Sequence, residues 1–209
     1  MAALILTVLR HGGEYKVEHV QRLFRQAPGL MVLSDVDVPG VPRIPMRNRW
    51  PGWWSKMNLF DPDIPGDLLY MDLDTTVVGE IDDLRETGRT TMLADFYWPE
   101  RLASGFMYLT EADRAKVWNL WGESPDHHMV RHRQGGDQSF IASVLPDALR
   151  WQDTHPGRVV SYKAHIAAPG MAGFNSRRSQ GDGFIPAGAS VVCFHGSPRP
   201  WEAENLKWR

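Results

Sequence analysis

Leu68-Leu69-Tyr70-Met71-Asp72-Leu73-Asp74-Thr75-Thr76-Val77-Val78-Gly79 is the stretch whose reading decides the architecture. Its first four residues carry no charge and read as a buried strand, which then meets two carboxylates one residue apart. Side chains two apart in a strand point the same way, so Asp72 and Asp74 face one point while Leu73 turns into the core. Convergent carboxylates at the carboxyl end of a buried strand suit a hard cation, Mg²⁺ or Mn²⁺, that also holds phosphate oxygens. Taken alone, the tripeptide is also an ordinary acidic strand-to-turn junction, because Asp favours turns. The rest of the chain bears on that choice.

Upstream, residues 3–9 read as a strand that ends at Arg10-His11-Gly12-Gly13. Residues 17–26 carry Val17, Val20, Leu23 and Phe24 at helical spacing, and Pro28-Gly29 stops that helix. Residues 30–33 form a second strand, closed by Ser34-Asp35. This β-α-β order predicts a right-handed crossover and a parallel sheet. Residues 36–51 read as a Pro-rich irregular loop and residues 53–60 as a short helix.

Downstream, residues 80–86 read as a short helix, and 90–93 and 105–109 as strands. Residues 111–121 form a helix capped by Thr110, and 137–144 form another. Residues 159–165 and 190–194 read as late strands around a Gly/Ser/Arg-rich stretch, 168–183. The class is therefore α/β, with a mixed, mostly parallel Rossmann-like sheet flanked by helices. The 209 residues, 43% hydrophobic and 23% charged, fit one soluble globular domain spanning 1–209. A formal net charge of −2 provides no global basic field for nucleic acid or anionic membrane. The single Cys193 excludes an intramolecular disulfide and fits a reducing compartment. The apolar residues 2–9 have no basic segment before them and end at Arg10-His11, so they read as a core strand, not as a signal peptide or membrane span. The expected location is cytoplasmic.

Ligands of open α/β sheets bind beyond the carboxyl ends of the strands. Four such ends are polar or glycine-rich: Arg10–Gly13, Ser34-Asp35, Asp72–Asp74 and Phe194-His195-Gly196. Gly12 and Gly13 permit close backbone approach of a nucleotide, or simply a turn. In 191–201, His195 is a candidate third metal ligand, Gly196 a phosphate approach, and Arg199 a bidentate partner for a diphosphate.

Residues 69–81, Leu-Tyr-Met-Asp-Leu-Asp-Thr-Thr-Val-Val-Gly-Glu-Ile, resemble the Asp-x-Asp metal segment of glycosyltransferase family 8 and related GT-A-fold enzymes. Ala103-Ser104-Gly105-Phe106-Met107 is similar to the family's Asn-x-Gly strand beside the donor sugar. Gly136-Asp137-Gln138-Ser139-Phe140 is similar to its Asp-Gln helix start, and Phe194–Trp201 to its His-x-x-Gly-x-x-Lys-Pro-Trp ending. The order agrees over most of the chain, and Pro51-Gly52-Trp53-Trp54-Ser55-Lys56 also resembles bacterial and phage glycosyltransferases. There are departures. Aligned on Gly196 and Pro200-Trp201, the family's metal His falls at Cys193, with His195 two residues later on the same strand face. Arg199 stands for Lys, and Ser104 for Asn.

The resemblance implies a metal-dependent enzyme that moves a sugar from a nucleoside diphosphate, a UDP-sugar first among them, to a hydroxyl acceptor with retention of configuration. It implies Mn²⁺ or Mg²⁺ on Asp72, Asp74 and His195, with Arg199, Lys56 and Arg10 near the leaving diphosphate. Asp35 is then placed for base or ribose, Asp95 and Ser104 for donor-sugar hydroxyls, and Asp137 and Gln138 near the anomeric carbon and acceptor. Asp137 is alternatively a helix cap, or the general base of an inverting enzyme. The acceptor is a glycan or lipid-linked sugar, or a hydroxymethylated DNA base; nucleic acid enters only in that role. Residues 126–133, rich in His and Arg, read as a solvated basic loop ahead of a zinc site. With Arg177-Arg178 they form a candidate lid or basic patch. A noncatalytic sugar- or nucleotide-binding module and a metal-dependent phosphohydrolase are the other readings.

Overall fold

The computed structural model describes residues 2–203 and 206–208. The chain runs through β1 (Leu4–Leu9), α1 (Val17–Gln26), β2 (Leu30–Ser34), β3 (Arg43–Pro45), a 3₁₀ helix (Gly52–Phe60), β4 (Leu68–Met71) and β5 (Thr75–Val77). A second 3₁₀ turn (Asp83–Glu86), β6 (Thr91–Ala94), β7 (Leu102–Leu109), α2 (Glu111–Glu123), α3 (Pro125–Arg131) and α4 (Gly136–Val144) follow. The last third holds β8 (Leu149–Arg150), α5 (Trp151–Thr154), β9 (Val159–Ser161), a π-helical turn (Tyr162–Ile166), β10 (Phe184–Ile185), β11 (Val191–Cys193) and β12 (Lys207–Trp208).

Among the described residues the main sheet has seven strands in the order β3-β2-β1-β4-β7-β6-β8. β3, β2, β1 and β4 run parallel, as the β-α-β pattern predicts, and β7 is antiparallel to both β4 and β6. The central strand is buried on both faces, which is why it reads as an unbroken apolar run. Leu69 and Met71 enter one core with Val20 and Leu23 of α1; Leu68 and Tyr70 enter the other with Trp54, Phe60, Trp121 and Phe140. A second sheet, β5-β11-β9, stands beside the first.

Several segments differ from the sequence reading. The strand ends at Met71, so Asp72-Leu73-Asp74 is a tight turn and not a strand end: the Thr75 N–H donates to the Asp72 carbonyl at 3.0 Å. Here the turn tendency of Asp outweighs strand alternation, although Leu73 is buried as expected. The 36–51 loop contains β3, which adds to the edge of β2. The late strand at 159–165 stops at Ser161, whose hydroxyl caps the π turn by accepting from the Ala164 N–H. Residues 126–131 of the expected basic loop are helical, started by Pro125 at the first position; His128 is buried against the Leu120 carbonyl at 2.9 Å.

The 3₁₀ helix carries a pattern of period three. Trp54, Met57 and Phe60 form one row, buried in the core, while Trp53 and Lys56 form a second row. Two arginines, Arg114 buried and Arg22 half-buried, hold the segments that flank the central strand. Arg114 of α2 donates to the carbonyls of Leu59, Asp61, Ile64 and Gly66 at 2.7–2.9 Å, fixing the link from the 3₁₀ helix to β4. Arg22 of α1 donates to the Leu73 and Thr75 carbonyls at 2.9 and 2.6 Å, clamping the acidic turn from behind. Removing either guanidinium leaves buried carbonyls without donors. Arg114→Met and Arg22→Met should each lower unfolding free energy by at least about 3 kcal/mol in urea titrations. A loss below about 1 kcal/mol would show that water replaces the clamp.

Candidate active site

A cleft of about 980 Å³ opens at the ends of β1 and β4. Arg10, Gly12, Gly13, Lys56, Asp72, Ser104, Asp137, Gln138 and Arg199, all expected from the sequence, line it. Gly12 has φ of +93°, a conformation that favours glycine at this turn. At the centre lies the Lys56 ammonium, 3.1 Å from Asp72 Oδ1 and 2.9 Å from Asp137 Oδ2, with side chains of Lys56 and Asp137 only 9% and 7% exposed. Ser104 Oγ donates to Asp137 at 2.9 Å and accepts from Lys56 at 3.1 Å. Gln138 Oε1 accepts from the Ser104 N–H at 3.4 Å. The Tyr70 hydroxyl donates to Asp72 from within the core. Burial works to lower the Lys56 pKa, but Asp137 and Asp72 outweigh it and hold the amine protonated.

The other carboxylate, Asp74, is 8% exposed and pairs with Arg199. Arg199 also grips Glu14 through two bonds of 2.7 Å, which hold the Glu14 carboxyl below its ordinary value. Next to it Trp201 stacks on His19, with ring centroids 3.7 Å apart and planes at 3°. The C-terminal segment is thereby clasped to the β1–α1 loop over one end of the cleft. Burial, then repulsion from Asp72, push the Asp74 carboxyl up to about 7, against the pull of Arg199.

Asp74 and Asp72 also line a smaller cavity of about 130 Å³ with Asp95, Gln138, Cys193 and His195. His195 does not complete a three-ligand set with the two aspartates. Its Nε2 lies 2.7 Å from Ser161 Oγ and its ring stacks on Phe96 at 5.5 Å. Among the described residues no three His, Cys, Asp or Glu side chains form a metal-holding group. Burial, then the charge of Lys163, push His195 down to about 4, so it is neutral near pH 7. Cys193 is buried, and burial raises its thiol pKa.

Three other expected residues serve the loops. Asp35 lies outside the lining of both cavities and accepts from the His11 N–H at 2.8 Å, bracing the glycine turn. Asp95 Oδ1 accepts from the N–H groups of Tyr97 and Trp98 at 2.8 and 3.0 Å, forming a turn beside the small cavity. Gly196 is exposed at φ +79° and lines neither cavity. Tyr15, Tyr70, Glu14 and Trp53 line the large cleft too; of these, Trp53 lies in the segment 51–56 noted in the sequence, without an assigned role. Tyr70 was readable, two positions before Asp72; Glu14 was not, because its partner is 185 residues away.

Two hard carboxylates line one cavity, and burial, then repulsion from Asp72, raise the Asp74 carboxyl, a cost that a cation beside the pair would offset. The pair fits Mg²⁺ or Mn²⁺ with the remaining positions left to non-protein oxygens. The fit requires Arg199 to release Asp74.

No protein-family model and no curated protein sequence matches the chain. Solved structures do. The apo form of the glycosyltransferase GlyE of Streptococcus pneumoniae TIGR4 aligns with a TM-score of 0.58 at 15% identity, over 100% of this chain and 58% of that one. The galactosyltransferase LgtC, solved with donor and acceptor sugar analogues, aligns with a TM-score of 0.59 at 12% identity, over 96% of this chain and 90% of that one. The bifunctional glycosyltransferase WbbM aligns with a TM-score of 0.55 at 10% identity, over 96% and 47%. The chain spans about half the length of GlyE. These likenesses establish the fold alone: the chain has the GT-A architecture that these structures share. No helix among the described residues is long and apolar enough to cross a membrane.

The raised Asp74 value carries a pH prediction. The folded state holds the proton more tightly than the unfolded chain, whose value is near the ordinary 3.8. That contribution to stability is complete below about pH 4 and is lost as pH rises through about 7. In EDTA, Asp74→Asn should therefore melt above the wild type at pH 8, with the gap closing near pH 4. A variant less stable than the wild type at pH 8 would show that the Arg199 pair outweighs burial.

Proposed function

We propose that the chain is a metal-dependent glycosyltransferase, moving a hexose from a nucleotide sugar, first a UDP-sugar, to a hydroxyl acceptor. The observation that carries the reading is the buried Lys56 ammonium held between Asp72 and Asp137 on the wall of a large cleft. A buried, fully paired cation at a strand-end crevice of this fold is costly to assemble and suits a site where negative charge develops.

In this reading the nucleotide lies along the Arg10–Gly13 turn, which Asp35 braces. Asp72 and Asp74 would hold Mn²⁺ or Mg²⁺, which supplies Lewis-acid neutralisation of the departing diphosphate. Arg199 leaves Asp74 for the diphosphate, and its bond to Glu14 keeps it oriented while it does so. Lys56 adds positive charge beside the breaking bond, held protonated by its two carboxylates. Gln138 and Ser104 offer hydrogen bonds to donor-sugar hydroxyls from one side, and Asp95 from the smaller cavity. Asp137 is bound on one oxygen by both Lys56 and Ser104. That engagement suits an electrostatic and positioning role, which accords with retention of configuration. His195, neutral and fixed by Ser161, shapes the floor of the smaller cavity. The unpaired Cys193 thiol suits the reducing cytoplasm as the place of the reaction.

The test is turnover of UDP-, GDP- and TDP-sugars with Mn²⁺, followed as release of nucleoside diphosphate. A UDP-sugar should be consumed, and Asp72→Ala and Lys56→Met should each lower kcat by about 100-fold or more. Tight UDP binding with every donor left intact would assign the chain to noncatalytic binding. Full activity in Asp72→Ala would refute the site.

A further inference from the structure

Trp53 has no role in the proposed transfer, yet among the Trp and Tyr rings of the large cleft it is the exposed one, at 58%. Its position is built. The three-residue period of the 3₁₀ helix puts Trp53 in the same row as Lys56, one turn and about 6 Å away along the axis. On its other side lies Gly136, the first residue of α4, at φ +61°. A Cβ on Gly136 would sit 2.7 Å from Trp53 Nε1 and 3.0 Å from each of its bonded neighbours, Cδ1 and Cε2. Edge-on approach would leave those two carbons much farther off than the nitrogen. The backbone therefore lies against the face of the pyrrole ring, and only glycine allows it. One face of the indole is packed on α4, and the ring's remaining surface opens into the cleft beside Asp137 and Gln138. No hydrogen bond engages the indole N–H among the described residues, so it is available to a ligand hydroxyl.

We propose that Trp53 is the stacking platform of the acceptor subsite and that the acceptor is a saccharide ring. The inference rests on the sugar-transfer reading of this cleft. An amphipathic indole, apolar on its face and with a donor on its edge, matches a sugar ring, which presents C–H groups on its faces and hydroxyls around its rim. The location also suits the acceptor. Trp53 belongs to the Lys56 and Asp137 wall, one helical turn from the proposed reaction centre, whereas the proposed nucleotide position lies along the β1 turn. The charge balance selects against a nucleic acid. The cleft is lined by three basic side chains, Arg10, Lys56 and Arg199, and three acidic ones, Glu14, Asp72 and Asp137. A polyanion needs an excess of basic contacts.

Calorimetry on wild type, Trp53→Ala and Trp53→Phe tests this, first with UDP and Mn²⁺ alone. At saturating UDP, the methyl glycosides and disaccharides of glucose, galactose and N-acetylglucosamine follow, with a hydroxymethylcytosine oligonucleotide as the contrasting probe. At least one saccharide should bind the wild type, about tenfold more weakly to Trp53→Ala, with most of the loss restored in Trp53→Phe. UDP affinity should move less than about twofold, because the ring is off the nucleotide. The proposal is overturned by a wild type that binds no saccharide, by equal saccharide affinity in Trp53→Ala, by a tenfold loss of UDP instead, or by Trp53-dependent binding of the oligonucleotide alone. Hydrolysis of the donor to water, measured in parallel, separates the two claims. Trp53-dependent saccharide binding without any donor turnover removes the transferase reading and leaves the platform. Turnover with Trp53-independent binding does the reverse.

Discussion

A lysine ammonium taken out of water must find anions, and the demand of Lys56 organises this molecule. Its two carboxylate partners come from different parts of the chain: Asp72 from the turn after β4, and Asp137 from the start of α4. Ser104 of β7 joins them through its hydroxyl. One charge cluster thus ties the 3₁₀ helix, the central strand, its antiparallel neighbour and a helix N-terminus into a single wall of the cleft. The arrangement is also polarised. Tyr70 occupies Asp72 from the core side, so what the carboxylate has left to offer faces the cleft.

The second acidic residue of the turn has a different environment. Asp74 is buried, repelled by Asp72, and answered by an arginine from the far end of the chain. Arg199 shares itself between Asp74 and Glu14, and its neighbour Trp201 stacks on His19 of α1. The closure of the C-terminal segment and the charge state of the acidic turn are therefore linked through one side chain. A ligand that takes Arg199 from Asp74 also changes what holds that segment in place.

The parallel half of the sheet was legible in the sequence, because β1, α1 and β2 have clean apolar periodicities and sharp Pro-Gly and Ser-Asp ends. The Thr110 cap and the start of α4 were equally readable. The errors came where short-range chemistry competes with periodicity. Asp72–Asp74 turns because Asp turns. The apolar run after Ser161 continues as a π turn because the serine hydroxyl caps it. The His-rich stretch folds into a helix because Pro125 and a buried His128 stabilise it. Lys56, Arg199 and the acidic pair, picked out by residue type and position, line the two cavities. Their pairing was not legible, since Lys56 with Asp137 and Arg199 with Glu14 join positions 81 and 185 residues apart, which no local pattern records. The surroundings of His195 were hidden for a related reason: Ser161 and Phe96, which hold it, belong to distant segments.

In the proposed site, the acidic turn beside Lys56 receives a cation and the diphosphate bound to it. Anomalous scattering from crystals grown with Mn²⁺ and UDP addresses this directly. The expected result is a manganese peak within bonding reach of Asp72 and Asp74, with the diphosphate against Arg199 and Lys56 still paired to Asp137. A peak elsewhere, or a nucleotide outside this cleft with Arg199 still on Asp74, would contradict the account.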